Sequence, residues 1–226
     1  MTIFSENSRR PALHNFNNGH YGTTSEQILR RGFRGCCVGI GLRRFPPDGL
    51  AELMGGNDAA VKRLDEFFET LFWKPERGNK SIHGNEPSHH CAYLYNRFGA
   101  PEKTQQRVRE ILARSYSTDR KGFDGNEDCG QMSAWYIFSA LGLYPLDPVS
   151  GCYEIGSPIV RGAKLHLGAP YAPATLEIRV KNYAPDRWRV GRVTLNGVEL
   201  KDWRVRHCDL VKGGVLEFDM ESCGEN

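Results

Sequence analysis

The sequence predicts an α+β protein in which helices come first and a small antiparallel β unit follows. Between residues 49 and 150, apolar residues recur every three to four positions, which is the spacing of one helix face. Between residues 151 and 226, short segments alternate apolar with polar residues and are separated by Pro, Asn and Gly, as strands of an antiparallel sheet are. Residues 1–48 show neither period, and we predict an irregular segment there, frame-shifted or disordered.

The helical half contains four predicted helices. The first begins at Asn57 and places a set of apolar residues on one face: Ala60, Leu64, Phe67, Phe68 and Leu71. Two more are predicted over residues 89–98 and 104–116. The fourth, residues 131–143, is apolar nearly all round, which is typical of an inner helix in a larger helical assembly.

The β half contains short alternating segments at residues 164–168, 174–182, 192–200 and 215–220. Asn196-Gly197 is a strong signal for a tight turn between two strands. Four helices are too few to close a helical barrel, and four or five strands are few for a sandwich. Both halves are therefore predicted to be parts of a larger structure.

Composition excludes several classes of protein. Apolar residues make up 39% of the chain and charged residues 25%, so a buried core is expected. The net charge is only +3, and the densest basic run has no platform of interleaved aromatic residues, so no nucleic-acid partner is predicted. No apolar run is long enough for a membrane span, and residues 1–16 lack the apolar core of a signal peptide. The seven cysteines form no CxxC pair, which disfavours a zinc ribbon.

Two loops carry carboxylates that are suited to chemistry. In SIHGNEPSHH (residues 81–90), Pro87 favours the first helical position and places Glu86 at the cap. In KGFDGNEDCGQMSAWY (residues 121–136), Asp128 lies beside the start of a helix. The positive end of each helix favours the ionised carboxylate. In an antiparallel helical barrel, both loops are predicted to line one pocket mouth.

The first loop also has plainer interpretations. Glu86 could act only as a capping residue, with His89 or His90 as packed side chains. These histidines together with His83 and Glu86 could instead suggest zinc. The zinc interpretation is disfavoured because the HExxH spacing is missing and Pro87 interrupts the helix that this motif requires.

The second loop partly matches a calcium-binding EF-hand. Asp124, Asn126 and Asp128 occupy its first, third and fifth positions. However, Cys129 stands where that loop needs glycine, and Trp135 stands where it needs a bidentate glutamate. An EF-hand is therefore excluded, while a looser site with oxygen ligands from Asn126 or Asp128 stays open.

Together these segments resemble glycoside hydrolase family 92, the calcium-dependent exo-acting α-mannosidases. HGNEPSHHCAYLYNRFGAP and GNEDCGQMSAWYIFSALGLYPLDPVSGCYEIGSP are similar to its signature segments, and LNGVEL and HCDLVKGGVLEFDM to its closing strands. The likeness covers roughly residues 48–220. It implies a partial (α/α) helical barrel over residues 49–150, followed by the C-terminal β unit. Relatives are typically periplasmic or secreted.

The resemblance also implies roles for individual residues in an inverting, α-1,2-type mannosidase. Asp128 would be the general base, with Asn126 beside it to orient water or calcium. His83 and Glu86 would contact the mannose at the end of a mannose-containing glycan. Asn85, Asn126 and Asp128 would be the ligands of a Ca²⁺ ion.

One part of the family pattern is missing. The family's general acid is a glutamate in a segment resembling E-G-x-A-W-x-Y, but Arg34-Gly35 stands about where it belongs. No glutamate occurs between Glu26 and Glu52. Loss of a general acid typically costs about 10²–10⁴-fold in rate. The expected consequence is an incomplete, inactive form of the enzyme or a non-catalytic carbohydrate-binding remnant, with self-association through exposed barrel faces.

Overall fold

The structure, a computed structural model, describes residues 47–73 and 81–221, in which helices precede β-sheets as predicted. The prediction of an irregular segment over residues 1–48 lies outside the described residues except at its last two positions, and so does the departure at Arg34-Gly35. Pro47 and Asp48 already belong to the first helix. Within the described part, no helix is both long enough and apolar enough to cross a bilayer.

The helices of the described part are α1 (Pro47–Leu53), α2 (Asn57–Phe67), α3 (Leu94–Arg97), α4 (Pro101–Arg114), α5 (Gln131–Ala140) and α6 (His207–Leu210). The predicted helix at 104–116 begins three residues earlier, at Pro101, because the fixed φ of proline suits the first helical turn. Only the end of the predicted helix at 89–98 is α-helical. It follows three short 3₁₀ turns, Ile82–Gly84, Glu86–Ser88 and Cys91–Tyr93.

One residue of the predicted apolar face of α2 points to solvent. Leu71 is 38% exposed, whereas the other four members of that face, Ala60, Leu64, Phe67 and Phe68, are buried. The reason is that α2 continues as a π-helical turn, Phe68–Phe72. The wider turn rotates the following side chains, so Phe72 takes the buried position instead of Leu71.

The strands are β1 (Leu143–Tyr144), β2 (Cys152–Ile155), β3 (Gly162–Leu167), β4 (Ala174–Lys181), β5 (Val190–Leu195), β6 (Val198–Glu199), β7 (Arg204–Arg206) and β8 (Gly214–Met220). They form a three-stranded sheet, β1-β2-β7, and a five-stranded sheet, β3-β4-β8-β5-β6. The turn between β5 and β6 falls at Asn196 and Gly197, both with positive φ, as predicted.

The prediction of a purely antiparallel β unit is wrong at one pair of strands. β8 lies between β4 and β5, and it runs parallel to β4 while running antiparallel to β5. Alternation of apolar and polar residues predicts a strand with one buried face, but it does not specify the partner or its direction. The five-stranded sheet is therefore mixed.

Buried polar side chains join the helical part to the sheets. Gln105 of α4 accepts a hydrogen bond from the backbone N–H of Val190 at 2.9 Å. Asn96 of α3 donates to the carbonyl oxygen of Ile155 at 2.9 Å and to the carboxylate of Glu154 at 3.2 Å. Each part also has its own apolar core, one around Trp135 and the aromatic residues of the helices and one between the sheets.

Candidate functional site

The two carboxylate loops, called here the first loop (residues 81–90) and the second loop (residues 117–130), touch through their backbones at two glycines. A Cβ atom on Gly84 would lie 3.1 Å from the backbone nitrogen of Gly125, and one on Gly125 would collide with the carbonyl of Gly84. Gly125 also has a φ of +72°. Asn85 and Asn126 directly follow these glycines, so the contact brings the two predicted motifs together.

A buried hydroxyl–carboxylate network supports this contact from beneath. The hydroxyl of Ser81 donates to the Asp124 carboxylate at 3.1 Å and lies 2.9 Å from the hydroxyl of Ser115. The backbone N–H of Asp124 donates to the carbonyl oxygen of Ser115 at 3.0 Å. Asp124 is only 5% exposed, so it turns inward, away from the exposed Asn126.

A cluster of aromatic and imidazole rings fixes the first loop against α5. The ring of His83 lies 4.5 Å from that of His89 and 4.2 Å from that of Trp135, measured between centroids. The indole N–H of Trp135 donates to the carbonyl oxygen of His89 at 2.9 Å. His89 Nε2 donates to the carbonyl oxygen of His83 at 3.0 Å. His83, which the sequence predicts as a mannose contact, is therefore a buried member of this cluster.

Burial keeps the histidines of the first loop uncharged at neutral pH. It lowers the pKa of His83 well below 6.5, and the neighbouring His89 lowers that pKa further. The pKa of His89 falls to about 4 because burial outweighs its hydrogen bond to the His83 carbonyl and the nearby charge of Asp128. The pKa of His90 also falls to about 4, through burial and then through His89. The interior beside Asp128 is therefore lined by neutral rather than cationic imidazoles.

Asp128 lies in an unusual stretch of backbone just before α5. Asp128, Cys129 and Gly130 all have left-handed φ values, of 51°, 57° and 92°. Non-glycine residues rarely adopt this conformation, and they do so mainly where the surrounding structure enforces it. The carboxylate of Asp128 is half-buried and makes no hydrogen bond within residues 47–73 and 81–221. It is therefore free to act on a ligand.

Glu127 takes the role at the helix start that the sequence analysis gave to Asp128. The Glu127 carboxylate accepts a hydrogen bond from the backbone N–H of Ser133 at 3.1 Å, and its carbonyl accepts one from Met132 at 3.3 Å. It thus satisfies N–H groups in the first turn of α5, which lack partners within the helix. The sequence motifs assign no role of its own to Glu127. Its acidic side chain just before the helix is the signal that could have identified it.

The first loop also differs from the prediction at its cap. Pro87 lies in the first turn of a short 3₁₀ helix, as expected, but the capping position belongs to Asn85 rather than Glu86. The side chains of both residues are exposed, and neither makes a hydrogen bond within the described residues. Glu86 is therefore not used as a cap, and its carboxylate faces solvent beside the contact of the two loops.

The donor set at this contact fits a hard cation better than zinc. In the described part of the chain, no group of three or more His, Cys, Asp and Glu residues could hold a metal ion. A metal site here would thus depend on amide and backbone oxygens as well as a carboxylate. Asn85, Asn126 and Asp128 carry such oxygens, and none of the three side chains is engaged by a hydrogen bond within the described residues. Calcium takes six to eight oxygen ligands in flexible geometry.

A cleft of about 480 Å³ opens on the other side of the second loop. It lies between the end of α4, the second loop and α5, and it is lined by Leu112, Tyr116, Ser117, Thr118, Gly122, Phe123, Ser133, Tyr136 and Ile137. None of the predicted site residues lines this cleft. The exposed carboxylates and amides at the contact of the two loops, rather than the cleft, form the candidate site.

Comparison with known proteins identifies the family. Residues 45–222 match the glycosyl hydrolase family 92 catalytic domain. An uncharacterized secreted glycosidase of Arthroderma benhamiae is 28% identical over 174 residues, which cover 76% of this chain and 21% of that protein.

Solved structures agree with this match. A family GH92 α-mannosidase from Bacteroides thetaiotaomicron is 34% identical, with a TM-score of 0.68 over 77% of this chain and 23% of that one. The same enzyme has been solved in complex with mannoimidazole, where the TM-score is 0.69 over 77% of this chain and 24% of that one. A family GH92 inverting mannosidase from the same bacterium is 35% identical, with a TM-score of 0.67 over 78% of this chain and 26% of that one.

These matches establish the family and the extent of the likeness. The chain spans about a fifth to a quarter of the length of these relatives. The two loops that meet at Gly84 and Gly125 fall within the matched residues. The chain belongs to glycosyl hydrolase family 92, and it contains part of the catalytic domain of such a glycoside hydrolase.

Proposed function

We propose that this chain is part of the catalytic region of an inverting exo-α-mannosidase of α-1,2 type that removes terminal mannose from glycans. The observation that carries the proposal is the contact of Gly84 with Gly125, which holds the two family motifs against each other. The solved relatives are mannosidases, which supports the choice of sugar. The helices α2, α4 and α5 would then form part of an (α/α) barrel.

In this proposal Asp128 is the general base. Its carboxylate takes a proton from a water molecule as the water oxygen bonds to the anomeric carbon. The bond from that carbon to the leaving oxygen breaks on the opposite face, and a protonated carboxyl other than the family's glutamate donates the proton to the leaving oxygen, because Arg34-Gly35 stands about where that glutamate belongs. Asn126, two residues earlier, orients the water through its amide. Support comes from the half-buried Asp128 carboxylate, which has no hydrogen-bond partner within the described residues.

The remaining site residues bind the sugar and the metal. The exposed carboxylate of Glu86 accepts hydrogen bonds from mannose hydroxyls, and the buried His83 acts from beneath by supporting the loop that carries Glu86. Asn85, Asn126 and Asp128 would hold Ca²⁺ through oxygen atoms. The ion would supply positive charge that helps to bind the sugar hydroxyls and to distort the ring.

A second function is favoured by one observation in the sequence. No glutamate occurs between Glu26 and Glu52, where the family's general acid belongs. A chain that keeps Glu86 and Asp128 but cannot protonate the leaving oxygen would bind mannose without hydrolysing the glycoside. This alternative is a non-catalytic carbohydrate-binding remnant of the family.

The experiment that separates these functions measures mannose release from an α-1,2-mannobioside by the purified chain, with calcium and then with a chelator. The proposal expects release that needs calcium and that Asp128→Asn reduces at least about 10²-fold, as loss of a general base does. The control is Asp186→Asn, which removes an exposed acid in the β unit and leaves the rate unchanged. Mannose binding by calorimetry without any release would instead support the carbohydrate-binding remnant.

We also propose that the chain associates with itself through exposed faces of the partial barrel. Ile137 of α5 is 45% exposed and Leu53 of α1 is 47% exposed, which is high for large apolar side chains on helices. Sedimentation velocity over a range of concentrations tests this. A monomer at every concentration would contradict it.

A further inference from the structure

The hydroxyl of Tyr116 lies between the first loop and α5 and is hydrogen-bonded to both. Tyr116 lies two residues after the end of α4. Its oxygen lies 2.9 Å from Nε2 of His83, in the first loop. The same hydroxyl donates to the carbonyl oxygen of Met132, in the first turn of α5, at 3.1 Å. One atom therefore connects the first loop to the helix that begins after Asp128.

The direction of these two hydrogen bonds follows from their chemistry. A carbonyl oxygen only accepts, so the single proton of the Tyr116 hydroxyl points toward Met132. The hydroxyl oxygen is then an acceptor for His83, and Nε2 of His83 must carry the proton. In a neutral imidazole, the other nitrogen, Nδ1, is left as an acceptor. The bridge thus selects one tautomer of His83.

The surroundings leave Nδ1 of His83 without a protein partner. This atom is buried and has no hydrogen bond among the residues that the structure describes. The rest of the residue is held firmly, because His89 donates to its carbonyl oxygen and the Trp135 ring packs edge-on against its ring. Buried polar atoms are seldom left unpaired, and those that are deserve an explanation.

The ring of Tyr116 is also fixed in place. It stacks almost parallel to the ring of Trp135, with an angle of 2° and a centroid distance of 5.9 Å. The ring of Tyr136 packs on it at 4.9 Å. The hydroxyl therefore cannot move far without disturbing the cluster that supports the first loop.

We propose that Tyr116 is a positioning residue, whose hydroxyl holds His83 in the Nε2-protonated tautomer and ties the first loop to α5 behind Asp128. Its contribution to mannoside hydrolysis rests on the function proposed above. Tyr116 thus sets the spacing between the first loop, which carries Asn85 and Glu86, and the carboxylate of Asp128. Its own side chain touches neither substrate nor metal.

The test compares the wild type with Tyr116→Phe, which removes only the bridging oxygen, and uses ¹⁵N NMR of the histidine side chains. In the wild type, His83 is expected as a single tautomer with the proton on Nε2. In Tyr116→Phe, this signal is expected to split or to move toward the other tautomer. The matched control is Tyr136→Phe, whose ring belongs to the same cluster but whose hydroxyl is not part of the bridge; it should leave the His83 signal unchanged.

His207 serves as an internal reference for folding. Its two ring nitrogens lie 3.0 and 2.7 Å from the hydroxyls of Tyr153 and Tyr171 in the β unit, far along the chain from Tyr116. A shift of both His207 and His83 would indicate general unfolding. In that case the test rests on the wild-type spectrum, because a proton on Nδ1 of His83 in the folded wild type overturns the proposal. So does an unchanged His83 signal in folded Tyr116→Phe.

The activity assay adds a second readout. Misplacement of a catalytic group by a small distance can cost about 10²-fold in rate, so kcat for mannose release should fall about 10- to 100-fold in Tyr116→Phe with little change in KM. If the wild type releases no mannose, the proposed function fails, while the NMR comparison still decides whether Tyr116 positions His83.

Discussion

The loop region and the β unit are held together in different ways. The first loop contains two short 3₁₀ turns, and the shape of the loop region depends on single contacts such as that between Gly84 and Gly125. The five-stranded sheet is a ladder of paired strands with one register shift, in β5. The same chemical change should therefore have different effects in the two regions. A Cβ atom on Gly197, in the turn between β5 and β6, would meet no other atom within 4 Å.

Charge is distributed differently as well. On the sheet, ionisable side chains pair near the surface, as in the contact of Lys181 with Glu217 at 2.6 Å. Such pairs contribute little to stability because solvent screens them. In the first loop, three histidines are buried and uncharged. Stability of the loop region should thus depend on pH and on individual atoms, whereas stability of the sheet should depend mainly on strand pairing.

The largest effect is expected from Gly125→Ala. The new methyl group would collide with the backbone of Gly84, in addition to the cost of a left-handed conformation. We expect a loss of about 3 kcal/mol or more in the free energy of unfolding. If Asn85 and Asn126 bind the same Ca²⁺ ion, the affinity for calcium should decrease together with the stability.

The control for this change is Gly122→Ala. Gly122 has the same φ of +72°, but a Cβ atom there would meet nothing within 4 Å. Gly122→Ala should lower the free energy of unfolding by only about 1–2 kcal/mol, which is the cost of the left-handed backbone conformation alone. Urea titrations of both variants give the comparison. Equal losses would mean that the contact of the two loops contributes nothing to stability.

The second effect is acid sensitivity of the first loop. Because the folded pKa of His89 and of His90 is about 4 and the ordinary value is 6.5, the unfolded chain binds more protons between these pH values. The contribution of these two histidines to the free energy of unfolding is therefore fully present above pH 6.5 and decreases as the pH falls toward 4. Each histidine corresponds to a loss on the order of 3 kcal/mol.

This window is checked by urea titrations at several pH values between 4 and 7.5 on the wild type and on His90→Gln. Removing one of the titrating groups should make stability less dependent on pH. The control is His166→Gln, which changes an exposed histidine on β3 and should leave the slope as it is. If His90→Gln and the wild type have the same slope, burial of His90 does not couple to folding.

Much of this contrast could be predicted from the sequence. Alternation in the β half predicts β3, β4, β5 and β8, and the period of the helical half predicts α2, α4 and α5. Each of these patterns indicates which face of a helix or strand is buried, and it repeats over enough residues to be recognised in the sequence. The parallel pairing of β4 with β8 could not be predicted, because the direction of pairing leaves no period in the sequence.

The loops could be predicted only in outline. Their motifs indicated that Asn85, Glu86, Asn126 and Asp128 belong together, but not how the chain joins them. The inward turn of Asp124 depends on Ser81 and Ser115, which are 43 and 9 residues away along the chain. Contacts of this kind have no local signature. That Glu127 rather than Asp128 bonds to the start of α5 likewise depends on the left-handed backbone at Asp128 and Cys129, which non-glycine residues rarely adopt.

The smallest effect is expected where the two regions meet. Glu154 of β2 is buried against Asn96 of α3, and Arg204 of β7 lies 3.1 Å from its carboxylate. Burial raises the pKa of Glu154 to about 7, although Asn96 and Arg204 oppose this rise. The folded state thus binds its proton more tightly than the unfolded state. The stability that this proton provides is present below pH 4.5 and is lost as the pH rises through about 7.

Glu154→Gln removes the charge and keeps an oxygen that can accept from Asn96. We expect a gain of about 1 kcal/mol in the free energy of unfolding at pH 8 and none at pH 5, because the loss of the Arg204 contact offsets part of the desolvation cost. The control is Glu199→Gln on β6, where an exposed pair with Arg192 should give almost no change at either pH. A loss of stability at pH 8 in Glu154→Gln would mean that the buried ion pair outweighs desolvation. The junction of the two regions would then be stabilised by a buried ion pair, in contrast to the uncharged histidines of the first loop.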